Sequence, residues 1–436
     1  MNLKIEVYKV NSFYLKPKLF SVIKSCSKNQ VVNDIIAGII VAIIALPLSI
    51  ALALASGVNP ECGIYTAIAA GFIVSLFGGS RIQIAGPTAA FATIVAGIVA
   101  TKGMNGLVTA TLLAGILLII MGVCKVGALI KYVPSTITIG FTAGIAVTIF
   151  FGQIKDFFGI TYSNGVKPIE AIEKIEANIE HFGTFSWQSL LIGMICMLIL
   201  IIYPKFEKKV PPSLIAVIVS AALVALIPSL SENVATIGRL YQIPKGLPTI
   251  NFSGLSFNTD SIISALPDAF TIAVLAGIES LLSCVVADKM ANSKHNPHAE
   301  LVAQGLGNIG SVLFGGIPAT GAIARTAANA KNGGKTPIAG MVHAVVLFLV
   351  LILLMPYAEL IPMPAIAAIL FMVAYNMSEY KEFIKIIKSN PISDKIVMAV
   401  TFLLTVVFDL VVAIGVGLSL TAIIYIIKKY IFKKTT

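Results

Sequence analysis

Apolar runs long enough to cross a lipid bilayer follow one another along nearly all of the 436 residues. At roughly 20 residues per crossing plus short loops, the chain has room for about twelve to fourteen spans and for no sizeable soluble domain. Its 57% hydrophobic and 12% charged content, with a mean hydropathy of +0.95, exceeds what a soluble globular domain carries. The chain is therefore read as an all-α polytopic membrane protein.

The runs predict fourteen segments in two sets of seven. The first set falls at 33–55, 60–78, 86–100, 106–124, 133–153, 185–203 and 210–227, and the second at 262–287, 297–314, 321–330, 337–355, 360–375, 396–408 and 410–427. Asp409 alone interrupts the last two, which form a hairpin of short helices. This divides the chain into a cytoplasmic N-terminal segment 1–32, a first repeat 33–228, an extracytoplasmic connection 229–261, a second repeat 262–429 and a basic cytoplasmic tail 430–436. Residues 1–30 are lysine-rich without a continuous apolar core, so the first membrane helix serves as its own insertion signal in place of a cleavable peptide.

Charge orients these spans. With both ends cytoplasmic, 24 of the 31 lysines and arginines fall inside and 6 outside, the remaining one being Arg325. An error of one span in the middle would exchange sides for everything after it, so the bias supports an even number of crossings of the inner (plasma) membrane. The formal charge of +11 is explained by loops that flank spans, and no separate basic domain is left to bind nucleic acid. Cys26, Cys62, Cys124, Cys196 and Cys284 are scattered singly, so they are read as small apolar fillers, with no disulfide, metal or other cofactor implied. The loop 159–183, with Glu170, Glu173, Glu176 and Glu180, reads as a solvated amphipathic segment.

Two spans are short, and each is the third of its set. The first follows Gly78-Gly79 and Gly86-Pro87-Thr88; the second follows Gly315-Gly316 and Pro318-Ala319-Thr320-Gly321. Because seven is odd, the second set enters from the opposite side. Paired Gly/Pro-interrupted segments in two inverted repeats point to a transporter's central binding site. The competing reading is a pair of ordinary hinges or re-entrant turns.

A half-helix that starts inside the protein leaves its first N–H groups without intrahelical partners and points its positive dipole end inward. Two such ends facing each other make an anion site. The first would offer the N–H groups of Thr88, Ala89 and Ala90, and the second, after Gly321, those of Ala322, Ile323 and Ala324. Arg325 adds a full charge in a segment where a buried guanidinium is retained for a counter-charge, either a bound anion or a structural carboxylate such as Glu279. Glu279 has two readings of its own: a proton or cation coupling site, or the ion-pair partner of Arg325. Ser280 and Ser283 share its helix, although serines in membrane helices often bond their own backbone. Pro47, in Ala45-Leu46-Pro47-Leu48-Ser49, kinks a first helix that brings Ser49 beside the broken ones. His343 is read as a satisfied core residue. No Ser/His, Cys/His, His-metal or paired-carboxylate site sits in the spans, which argues against an enzyme.

At these residues the chain resembles the sulfate permease (SulP) family of anion transporters. The stretches that carry the likeness are Asn33-Asp34-Ile35-Ile36-Ala37-Gly38 leading to Ala45-Leu46-Pro47, then 78–88, 315–325, and Ala374-Tyr375-Asn376-Met377-Ser378-Glu379. The resemblance implies fourteen segments in two inverted repeats of seven, with broken third and tenth helices and separate core and gate domains. It further implies an anion such as sulfate, bicarbonate or a dicarboxylate held between segments 3 and 10, an elevator-like motion of the core, and a homodimer in the bilayer. Most members carry a cytoplasmic STAS domain after the last helix, whereas this sequence stops at Lys433-Lys434-Thr435-Thr436. Sodium-coupled relatives offer an acid and a hydroxyl four positions later in segment 8, matched by Glu279 and Ser283, plus a hydroxyl in segment 10 that aligns with Ile323. Losing that oxygen weakens a sodium site, because hard cations need several oxygen ligands. The expectation is therefore proton-coupled symport or exchange. An anion channel, a voltage-responsive membrane element and a nucleobase permease of the same fold are the alternatives; exchange shows saturation and trans-stimulation, and a pore shows neither.

Overall fold

The structure is a computed structural model and describes residues 15–128, 134–163, 166, 168, 171–207, 210–241, 258–407 and 410–433. Asp409, Glu170, the tail beyond Lys433 and 242–257 of the connection lie outside the described residues.

Helices form where the apolar runs predict them. In chain order the segments are 1 (Lys28–Ala55), 2 (Pro60–Phe77), 3 and 4 (both within Ala92–Val123), 5 (Ser135–Phe158), 6 (Trp187–Ile202) and 7 (Pro212–Leu226). The second set is 8 (Thr259–Ala291), 9 (Pro297–Leu313), 10 (Ile323–Lys331), 11 (Ile338–Leu354), 12 (Met363–Met377), 13 (Ile392–Val407) and 14 (Leu410–Lys433). Among the described residues seven helices have the length and composition to cross a membrane alone, one of them the continuous run of segments 3 and 4. That run divides at Gly103, whose φ of 68° and ψ of −177° fit no right-handed helix and are open to a residue without Cβ. Proline marks several starts, at Pro60, Pro212 and Pro297, where its missing N–H costs no helical bond. Segment 1 runs as one assigned helix through Pro47.

The segments sort into two packed groups. Segments 1–4 pack with 8–11, through pairs 2 with 9, 4 with 8 and 9, and 11 with 1 and 2. Segments 5–7 pack with 12–14, through 5 with 12 and 13, 6 with 7 and 12, and 13 with 14. The first group is the core domain and the second the gate domain. Each draws the same positions from both repeats. Where the repeats meet, β1 (Ala85–Gly86) pairs antiparallel with β2 (Thr320–Gly321). The antiparallel register is what two elements entering from opposite ends require. An amphipathic helix, Tyr380–Ser389, joins segments 12 and 13.

Buried carboxylates staple the core at its basic end. Asp34 accepts from the backbone N–H groups of Lys335 and Thr336 at 2.7 and 3.2 Å and from Thr336 Oγ1 at 2.6 Å. Glu300, fully buried in segment 9, accepts from Gly79 N at 2.8 Å, Ser80 N at 3.2 Å, Gln83 Nε2 at 2.6 Å, Ser280 Oγ at 3.2 Å and Gln304 Nε2 at 3.1 Å. It ties the approach to segment 3 onto segments 8 and 9. Since both oxygens face donors only, Glu300→Gln would turn an NH2 group toward other donors, and Glu300→Ala would leave buried N–H groups unpaired. Either change is expected to cost about 3 kcal/mol or more, read as a lowered thermal unfolding temperature of the purified protein. Unchanged unfolding of both variants would contradict the staple.

Candidate functional site

The short β pairing sets the two half-helices end to end. After β1 the chain passes Pro87 and Thr88, makes one 3-10 turn at Ala89–Phe91 and enters segment 3. After β2, Ala322 caps segment 10 in an extended conformation (φ −88°, ψ 107°). Thr88, Ala89, Gly321, Ala322, Ile323, Ala324, Arg325 and Glu279 line one cavity of about 260 Å³, and so eight of the sequence-predicted site residues come together. Ala90 and Ser49 are fully buried beside it. Of the residues lining it, Ile323 and Ala324 and, on the gate side, Asn376 and Glu379 are exposed.

Three expectations about donors and partners change. The Ala322 N–H is spent on Ile84 O at 2.9 Å, because the cap residue extends the β pairing; the first-turn N–H groups of Ile323, Ala324 and Arg325 remain to face a ligand. Arg325 makes no ion pair with Glu279. Ion pairs among the described residues include Lys102–Asp268, His295–Asp288 and Lys385–Glu382. Arg325 is 1% exposed and donates through Nη2 to Ser49 Oγ and Pro87 O, each at 3.2 Å. Its Nε and Nη1 have no protein partner. Glu279 Oε2 instead accepts from Thr88 Oγ1 at 2.9 Å. A Cβ on Gly86 would collide with Arg325 Nη1, so only glycine lets the guanidinium lie against β1.

Ser283 is fully buried and faces Thr326 Oγ1 at 3.3 Å, behind the cavity wall. Ser280 bonds Gln83 Nε2 and Glu300, so neither serine turns back on its own helix. Cys284 is more than a filler, since its thiol donates to Gln83 Oε1 at 2.9 Å. His343 is buried as expected, but neither ring nitrogen has a protein partner. The sequence reading also missed that Glu300 is a fully buried carboxylate bonded to Ser280, the residue after Glu279; its place four residues into a predicted span was the available signal. The gate-side wall, Thr142, Val373, Asn376, Met377 and Glu379, was invisible as a site because those residues sit far from the broken helices in sequence.

The bundle, with two broken helices meeting end-on beside a buried guanidinium, has the architecture of inverted-repeat membrane transporters. Comparison with known proteins gives the family. The chain belongs to the Sulfate permease family, which matches residues 31–401. It is 44% identical over 398 residues to YvdB of Bacillus subtilis (strain 168), covering 90% of this chain and 73% of that one. It is 31% identical over 392 residues to the bicarbonate transporter BicA of Picosynechococcus sp. (strain ATCC 27264 / PCC 7002 / PR-6), covering 86% of this chain and 67% of that protein. The solved transmembrane domain of a cyanobacterial bicarbonate transporter BicA superposes with a TM-score of 0.80 at 29% identity, over 89% of this chain and 99% of that one. The protein is thus an anion transporter of this family and a multi-pass membrane protein, not an enzyme.

Proposed function

We propose that the protein is a secondary active transporter of small oxyanions such as sulfate, bicarbonate or a dicarboxylate. The substrate lies in the cavity between the N-terminal turns of segments 3 and 10, beside Arg325. The observation that carries this reading is a fully buried arginine with Nε and Nη1 unpartnered and no carboxylate in ion-pair range. A guanidinium in that position costs several kcal/mol unless an anion joins it. Core residues line one wall and gate residues the other, which supports transport by movement of the core against the gate. The repeats 33–228 and 262–429 supply both halves of each domain.

The charge bias supports a plasma-membrane orientation with both termini cytoplasmic. In that frame the cavity opens inward, past Asn376 and Glu379. A homodimer, as the resemblance implies, belongs to the same proposal. Coupling runs through Glu279, whose freedom from Arg325 leaves it able to gain and lose a proton beside the substrate, with Thr88 linking it to segment 3.

Uptake of labelled sulfate, bicarbonate and dicarboxylates by proteoliposomes, with and without imposed proton or sodium gradients, tests the reading. Saturation and trans-stimulation are expected; a linear, non-exchanging flux would mean a pore. Ala322→Leu serves as the site-directed arm. Ala322 borders the cavity with little exposed surface, so a larger side chain is expected to weaken anion binding by at least about tenfold, about 1.4 kcal/mol, with membrane insertion intact. Undiminished binding would place the anion elsewhere.

A further inference from the structure

Three ionisable residues line the cavity: Arg325 and Glu279 from the core, and Glu379 from the gate. The first two lie on the half-helix side. Glu379 stands at the opposite wall where the cavity meets water, and it holds a backbone conformation (φ 41°, ψ 39°) that residues with a Cβ seldom adopt. That turn ends segment 12 and starts the amphipathic helix, so the carboxylate is set at the mouth by a tight backbone reversal. Its neighbours do not neutralise it. Lys385 is paired with Glu382 at 3.1 Å, Lys381 lies over the Tyr380 ring at 5.9 Å, and among the described residues Glu379 has no ion-pair partner.

We infer that Glu379 is a specificity-determining residue that discriminates against divalent anions at this mouth of the cavity; the inference rests on the cavity being the transport site. Coulomb energy scales with the product of the charges. A fixed carboxylate therefore opposes a dianion twice as strongly as a monoanion in the same place, while the single guanidinium favours either in the same proportion. Removing Glu379 relieves sulfate more than bicarbonate. Since the mouth is wet, the difference is moderate and sensitive to salt: the Debye length falls from about 30 Å at 0.01 M to about 3 Å at 1 M.

The experiment compares kcat/KM for labelled sulfate and labelled bicarbonate in proteoliposomes containing the wild-type protein, Glu379→Gln or Glu379→Asp. At low ionic strength Glu379→Gln is expected to raise the sulfate-to-bicarbonate ratio about fivefold, through KM more than kcat, with the rise shrinking in high salt as the screening requires. Glu379→Asp keeps a ratio near that of the wild type. A role limited to holding the turn would lower both rates together and leave the ratio unchanged, and that result overturns the inference. Wild-type uptake with an unchanged ratio in a folded Glu379→Gln protein sinks this inference alone. Uptake of neither anion by the wild type sinks the transport reading and this inference together.

Discussion

Arg325→Gln is expected to lower anion affinity or transport by at least about tenfold, because a charge interaction worth more than about 1.4 kcal/mol is removed. The structure sharpens the reason. Arg325 is among the largest fully buried side chains of the described protein, and its two hydrogen bonds, to Ser49 Oγ and Pro87 O, use one nitrogen. The groups left over, Nε and Nη1, are unpaired donors on a charged group, each able to give an oxyanion one charge-assisted hydrogen bond. Glutamine keeps a donor and loses the charge. Arg325→Lys separates the two contributions, since an ammonium restores the charge as a point without the planar fork; it should recover part of the affinity. Binding measured by anion-dependent thermal stabilisation, with unfolding in the absence of anion as the control, distinguishes a site defect from a folding defect. Normal uptake by well-folded Arg325→Gln would remove the residue from the site.

Much of this site was legible because broken helices have a strong sequence signature. Gly78-Gly79 with Pro87 and Gly315-Gly316 with Pro318 mark where the chain cannot run as a regular helix, and the structure places segments 3 and 10 directly after them. What could not be read was the use made of each backbone group. The Ala322 N–H looked available from its place at a helix start, yet it pairs with Ile84 O across β1 and β2, a long-range contact that no local rule supplies. The same holds for Glu300. As a lone carboxylate in a predicted span it carried the signal of a functional residue, and only the convergence of Gly79, Ser80, Gln83, Ser280 and Gln304 shows it acting as a structural acceptor. The gate wall is the clearest case. Thr142 and Glu379 come to the cavity through packing of segments 5 and 12, so their contribution is a property of tertiary structure alone.

Glu279→Gln is expected to fold normally and to lose the pH dependence of uptake. The sequence allowed an opposite outcome, in which Glu279 neutralises Arg325 and its loss leaves an uncompensated buried charge, at a cost of about 3–5 kcal/mol. The geometry removes the basis for that cost, since Glu279 bonds Thr88 Oγ1 at 2.9 Å and not the guanidinium. The amide oxygen of glutamine can accept the same hydroxyl, so the change in stability should stay within about 1 kcal/mol, the worth of one hydrogen bond. Function is a different matter. If the coupling proton rides on this carboxylate beside the substrate, wild-type uptake rises as external pH falls, and the amide, which cannot take up a proton, leaves exchange running without that response. Thr88 would make such coupling local: it stands immediately before the 3-10 turn that opens segment 3, and its hydroxyl bonds the Glu279 carboxylate. Protein yield, thermal unfolding and the pH profile of uptake, measured on the same preparations, resolve the cases. Collapse of yield would restore the structural reading, and a stable variant that keeps the wild-type pH response would rule out the coupling role. Uptake by the wild type driven by a sodium gradient at constant pH would replace the proton with sodium.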